Sequence, residues 1–178
     1  MSVVDIAQFF PKAETAVKAD LFKGAMRALA GAVSVITVGT GAERTGFTAT
    51  SVSSFSIDPP TLLVSVNTNS SSWPALVKAG AFAVNILGHD QASVADRFAG
   101  RGGIKGNDRY VGWPWQRLGT GTLGLEGAVA VIDCELDEAL ERHTHAILLG
   151  RVRSVTVNGE AQPLLYWDGS YRQLSGTS

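Results

Sequence analysis

Hydroxyl and amide side chains gather in two short stretches that could hold a small polar ligand. The first, Gly46-Phe47-Thr48-Ala49-Thr50-Ser51-Val52-Ser53-Ser54-Phe55-Ser56, puts Thr and Ser where a core strand would carry larger apolar residues. Small side chains let a flat molecule approach the backbone, and hydroxyls with N–H groups give directional bonds. An edge strand with a solvated face has the same composition, so both readings stand. The second stretch is Asn67-Thr68-Asn69-Ser70-Ser71-Ser72-Trp73-Pro74. Hydroxyls ahead of a helix start suit an anion such as phosphate. Simple N-capping would need one of the three serines, with Pro74 in the first turn.

Other arrangements fail on context. Gly119-Thr120-Gly121-Thr122-Leu123-Gly124 spells a G-x-G-x-x-G pattern. That pattern needs a strand before it and a helix after it, whereas here a Trp-Pro-Trp loop precedes and a β-like run follows. There is no phosphate-binding P-loop and no G-x-S-x-G elbow. His143-Thr144-His145 would place two imidazoles on one face of a strand, but zinc takes three or four ligands, and His89 and Cys134 lack motif spacing. No metal site is expected. No acid–base pair or triad is legible, and Asn69-Ser70-Ser71 matches a glycosylation acceptor without a secretory signal to support it.

The elements that must position these stretches follow from pattern. A mixed arm over residues 1–19 precedes a helix opening at Asp20, with Phe22, Ala25, Met26 and Leu29 at helical spacing and Gly31 at its end. Strands are predicted at 32–38, 47–57, 61–67, 81–87, 128–136, 145–152 and 155–157, with a closing strand within 166–174. Short helices fall between Trp73 and Gly80 and over 90–99, and a glycine-rich loop spans 100–124. Strands outnumber helices and do not alternate with them, so a doubly wound parallel sheet is excluded. An antiparallel barrel with short flanking helices fits.

Composition bounds the function. The 178 residues suit one domain; 45% are hydrophobic and 17% charged, which excludes intrinsic disorder and suggests that a partner subunit covers some surface. A net charge of −1 argues against nucleic acid. No apolar run reaches membrane-spanning length, and no leader is expected. A single cysteine, Cys134, fits a reducing, cytoplasmic setting and reads as a small buried residue.

Seven segments in order then resemble the short flavin reductases of two-component monooxygenases, the reductase component of 4-hydroxyphenylacetate 3-monooxygenase among them. They are Phe22 to Arg27, Gly46 to Ser56 with Asp58-Pro59-Pro60, Asn67 to Ser72, Asn85-Ile86-Leu87, Asp96 to Ala99, Asp108-Arg109-Tyr110, and Pro163 to Tyr166 through Gly169-Ser170-Tyr171-Arg172. The likeness covers residues 20–174 as one domain. It implies a mainly β, antiparallel FMN-binding split barrel, a homodimer, and FMN or FAD held near the subunit interface. Thr48, Ala49, Thr50 and Ser51 would meet the isoalloxazine and ribityl chain, with Ser53 and Ser54 beside them. Asn67, Ser71 and Ser72 would hold the ribityl-phosphate end, and Phe98 would close over the ring. The family carries Gly-Asp-His with a glycine five positions on; here His145 and Gly150 keep that spacing, but His143-Thr144 replaces Gly-Asp. His145, Tyr171 and Arg172 would face the nicotinamide.

The implied reaction is hydride transfer from NADH or NADPH to flavin, with reduced flavin passed to a flavin-dependent monooxygenase. Reduction of a metal centre, such as a cobalt corrinoid or a ferric complex, is an alternative within the same chemistry. A non-catalytic flavin-binding split-barrel protein is an alternative of another class.

Overall fold

The structure, a computed structural model, describes residues 17–175; most of the expected N-terminal arm, residues 1–16, lies outside the described residues. Three helices, α1 (Ala19–Arg27), α2 (Trp73–Ala79) and α3 (Ala92–Phe98), flank the strands. The strands are β1 (Gly31–Ala32), β2 (Ser34–Val38), β3 (Thr45–Ala49), β4 (Val52–Ile57), β5 (Pro60–Asn67), β6 (Ala81–Ile86), β7 (Trp115–Arg117), β8 (Leu123–Leu125), β9 (Ala130–Arg142), β10 (His145–Val157), β11 (Leu165–Trp167) and β12 (Ser170–Arg172).

Seven of them form one antiparallel sheet in the order β3-β2-β6-β9-β10-β5-β4. The two edge strands, β3 and β4, are consecutive in the chain and joined only by Thr50 and Ser51. The sheet therefore rolls until its edges meet at one bend, which is a split barrel. Side chains alternate across β2 with period two: Ile36 and Val38 belong to the core inside the roll, with Val64, Phe82, Val84, Cys134 and Leu148, and Leu76 of α2 packs on it. Val33 and Val35 face a second core built with Leu87, Val94, Phe98, Tyr110 and Leu164.

Several sequence expectations shift. The single strand expected over 47–57 is two, because the chain bends at Thr50–Ser51 to pass from one sheet edge to the other. Runs 145–152 and 155–157 join into the 13-residue β10, with β-bulges absorbing the irregularity against β9. Segment 166–174 forms a hairpin, β11–β12, which pairs with β1 in a small separate sheet. Gly31, expected at a helix end, lies in β1 instead; a Cβ there would sit 3.1 Å from the Thr50 Cβ, so glycine lets this strand run close to the bend. The glycine-rich loop holds a further hairpin, β7–β8. Its turn hangs on buried Asp133, whose carboxylate accepts from the Thr120 N–H (2.9 Å), the Thr120 hydroxyl (2.5 Å) and the Thr122 hydroxyl (3.0 Å). The G-x-G-x-x-G letters are thus a hairpin turn with no helix after them. Gly80 ends α2 in the left-handed region (φ 61°), as expected of that position.

Candidate functional site

The bend at Thr50–Ser51 is where three depressions converge. One, of about 380 Å³, runs along Phe47 to Ser51 and is walled by Ser65, Asn67, Ser70 and His145. A second, of about 220 Å³, opens beside Thr48–Thr50 against Arg101, Tyr166 and Tyr171. A third, of about 470 Å³, lies between Thr50–Val52 and the Met26–Ala32 segment. Thr50 borders all three.

The donor set fits a ligand that carries a flat conjugated ring and an anionic tail. Among the described residues strand β3 pairs with β2 alone, so alternate backbone groups on its other edge are free of ladder bonds there. Thr48 spends its hydroxyl proton on the Ala95 carbonyl (2.6 Å), which fixes β3 to α3. Ser51 donates to the Ser65 carbonyl (2.9 Å) and fixes the bend to β5. Thr50 is exposed, with no hydrogen-bond partner among the described residues.

On the facing wall, the Asn67 side-chain oxygen accepts from the Asn69 N–H (2.9 Å), an Asx turn that orients the amide NH₂ away from its own backbone. The Ser70 oxygen accepts from the Ser72 N–H (3.2 Å), so its own proton remains available to a ligand. Thr68 ties this turn to the β9–β10 hairpin through its N–H and the Thr144 carbonyl (3.0 Å).

Strand β10 begins at His145, in register with Asn67 of β5. Its Nδ1 lies 2.9 Å from the Thr144 hydroxyl, and the ring is exposed at the groove mouth. His143 does not share that face: it sits in the two-residue turn with φ 56°, which breaks the strand alternation. Among the described residues no three His, Cys, Asp or Glu side chains cluster as a metal would need. Gly150 serves the core, since a Cβ there would come 2.5 Å from the Phe82 ring.

The second depression is aromatic. Tyr166 and Tyr171 meet edge to face at 5.6 Å, and the Tyr171 hydroxyl donates to Asp96 (2.7 Å), which also pairs with Arg101 (3.1 Å). Burial and then the bond to Asp96 raise the Tyr171 phenol above its ordinary range, so it stays a neutral donor.

Six of the residues singled out from sequence thus line the first depression: Thr48, Ala49, Thr50, Ser51, Asn67 and His145. Tyr171 lines the second. The others lie elsewhere. Phe98 is 1% exposed, packed edge-on against Tyr110 at 5.0 Å, so it supports β3 from behind and presents no face to the groove. Ser72 is fully buried, its hydroxyl donated to the Gly46 carbonyl (2.7 Å). Ser71 faces a separate cavity with Thr40, Glu43 and Lys78. Ser53 and Ser54 face an apolar hollow with Leu62, Ile132 and Val155. Arg172 stacks its guanidinium over Trp167 at 5.8 Å.

Sequence reasoning passed over Ser70 within its own motif, because three adjacent serines cannot be ranked without knowing which way the turn faces. It also left Ser65, Arg101 and Tyr166 without a part.

The model of the flavin reductase like domain matches residues 26–175. A protein of Methylorubrum extorquens named FMN reductase (NADH) RutF 2 is 40% identical over 159 residues, 89% of this chain and 91% of its own. The NADH:FAD oxidoreductase of Streptomyces globisporus superposes with a TM-score of 0.83 at 28% identity, covering 93% of this chain and all of that one. The flavin reductase component of a bacterial two-component tryptophan halogenase does so at 0.82 and 30%, over 90% of this chain and all of that one. With most of its length matched by the family's model and by a relative of that identity, the chain belongs to the flavin reductase-like domain family.

Proposed function

We propose that residues 20–174 act as one NADH:flavin oxidoreductase unit, with FMN or FAD in the groove at the Thr50–Ser51 bend. The convergence of three depressions on an unpaired strand edge, opposite the free donors of Asn67 and Ser70, carries this reading. When bound, the flavin supplies a two-electron acceptor for a hydride from the nicotinamide. The chain's part is to bind and orient. Small residues at 48–51 let a planar ring approach the β3 edge, whose unpaired N–H groups can meet a ring edge that gains charge on reduction. Asn67 and Ser70 hold the ribityl-phosphate end. His145, at the groove mouth, and Tyr171, in the aromatic depression, position the nicotinamide; hydride transfer asks for stacked rings about 3–3.5 Å apart and no general acid.

The same reading places this protein in the cytoplasm as a homodimer that hands reduced flavin to a partner monooxygenase. Support for the dimer comes from α1, which buries none of its residues and exposes Leu21, Phe22 and Met26, while Met26 and Leu29, just beyond its end, border the third depression. A second copy seated there would close the groove. The test is NADH consumption by purified protein with and without FMN, alongside light scattering for mass. Flavin-stimulated oxidation by a dimer is expected. Bound flavin without NADH oxidation would leave a binding protein only, and a monomer with full activity would remove the dimer.

A further inference from the structure

Arg109 is a buried cation with no buried anion to match it. The residue is 6% exposed, and among the described residues no carboxylate lies within ion-pair distance. One terminal nitrogen donates to the Gly46 carbonyl, to the Thr45 hydroxyl (3.2 Å) and to the Ser72 hydroxyl (3.1 Å). Its Nε is buried without a partner among the described residues. Burying a guanidinium this way is costly, and desolvation lowers its pKa, although arginine still keeps its charge at neutral pH.

The acceptors are informative. Thr45 and Gly46 open β3, which continues into the groove wall at Thr48. Ser72 closes the turn whose Ser70 and Asn67 form the opposite wall, and its N–H is the group that holds Ser70 (3.2 Å). Tyr110 adds a bond from its hydroxyl to the Thr45 carbonyl (2.5 Å). A core would be served equally well by an apolar side chain, so the charge itself asks for a reason.

We infer that Arg109 is a positioning residue for the anionic end of the flavin: it bolts the Asn67–Ser72 turn to β3 from behind and lends the turn a buried positive charge. This rests on the flavin reading above. Phosphate on the groove side of the turn would be the anion that the cation lacks, acting through Ser72 and Ser70 rather than by contact.

The discriminating measurement is the affinity for FMN against that for riboflavin, which lacks the phosphate, by quenching of flavin fluorescence. Arg109→Gln should weaken FMN about tenfold while riboflavin changes less than about threefold, the scale of losing one set of charge-assisted bonds. Arg109→Lys, which keeps the charge, should recover most of the FMN loss. Should Arg109→Gln fail to fold by circular dichroism, Ser72→Ala breaks the same link while leaving the bond from Arg109 to Gly46, and should again weaken FMN more than riboflavin. Equal loss for both flavins, or no loss in a folded variant, would overturn the assignment while the flavin site stands. Wild-type protein that binds neither flavin would overturn the site reading and this assignment with it.

Discussion

Gly46→Ala is the smallest change that should disable the groove. A Cβ at position 46 would lie 2.7 Å and 2.9 Å from the Phe98 ring, and deeper still into the Ile36 carbonyl oxygen of the neighbouring strand. The ring could yield, but the carbonyl belongs to the β2–β3 ladder and cannot move alone. Relief therefore means pushing β3 outward by at least ~0.5 Å at the ring, well within the range where tight cores complain. Overpacking costs about 1–3 kcal/mol. The displaced Gly46 carbonyl also weakens its bonds from Ser72 and from the Arg109 cation, about 1.5–3 kcal/mol for a charged donor. The sum is roughly 2.5–6 kcal/mol, which lowers Tm by about 5–24 °C in a chain of this length. Gly159→Ala, where a Cβ meets nothing within 4 Å, is the matched control and should leave Tm unchanged. Thermal melts followed by circular dichroism, with FMN titrations on the folded fraction, test both consequences. A Gly46→Ala protein within ~2 °C of wild type and with undiminished FMN affinity would refute the argument that β3 is held by backbone contact.

Further outcomes follow from single side chains. His145→Ala should cut NADH turnover about ten- to a hundredfold, the usual cost of slight misplacement, while FMN affinity changes little; unchanged turnover would take His145 out of the site. Asn85→Leu strips the Leu125 N–H of its buried acceptor (2.7 Å) and Val35 of a donor (3.0 Å), and should cost about 2–3 kcal/mol in urea melts. A loss below ~1 kcal/mol would mean water replaces the amide. Burial and then the neighbouring Asp133 carboxylate push the Cys134 thiol up to about 12. The folded chain thus keeps a proton that the unfolded chain sheds near its ordinary 9.0. The stability tied to the neutral thiol is intact below that value and falls as pH climbs toward 12. Native protein should accordingly resist a thiol reagent at pH near 8 and react fully in denaturant; rapid native labelling would contradict the buried position.

Fold class was legible because β-branched runs and turn residues mark strands locally. Thr61 to Asn67 and Ala81 to Ile86 needed no partner to be recognised as strands, whereas the run 32–38 divides at Val33, Ala32 pairing in the small sheet as part of β1 and Ser34–Val38 forming β2. Strand order was not, since nothing in Thr45–Ile57 says that its halves lie on opposite edges of one sheet. The site divided the same way. Thr48 to Ser51 and Asn67 stood out by composition, yet which of Ser70, Ser71 and Ser72 faces the groove depends on turn geometry and on Arg109 claiming Ser72. Phe98 carried a family expectation that the Gly46 contact explains differently: its ring fills the space a side chain on β3 would otherwise take. Arg109 had no signal beyond its motif, because a buried charge is recognisable only once its surroundings are known.

The meeting of both sheet edges at Thr50–Ser51 has a colloidal consequence. An open strand edge is a template for any passing chain, and among the described residues β3 has no strand on its outer side, where its groups beyond Gly46, whose carbonyl Ser72 and Arg109 already take, stay open. A planar ligand lying there satisfies the same groups that a foreign strand would seek. Occupancy of the groove and resistance to self-association are then one property, and the ligand-free protein is the form most exposed to edge-to-edge clumping on storage.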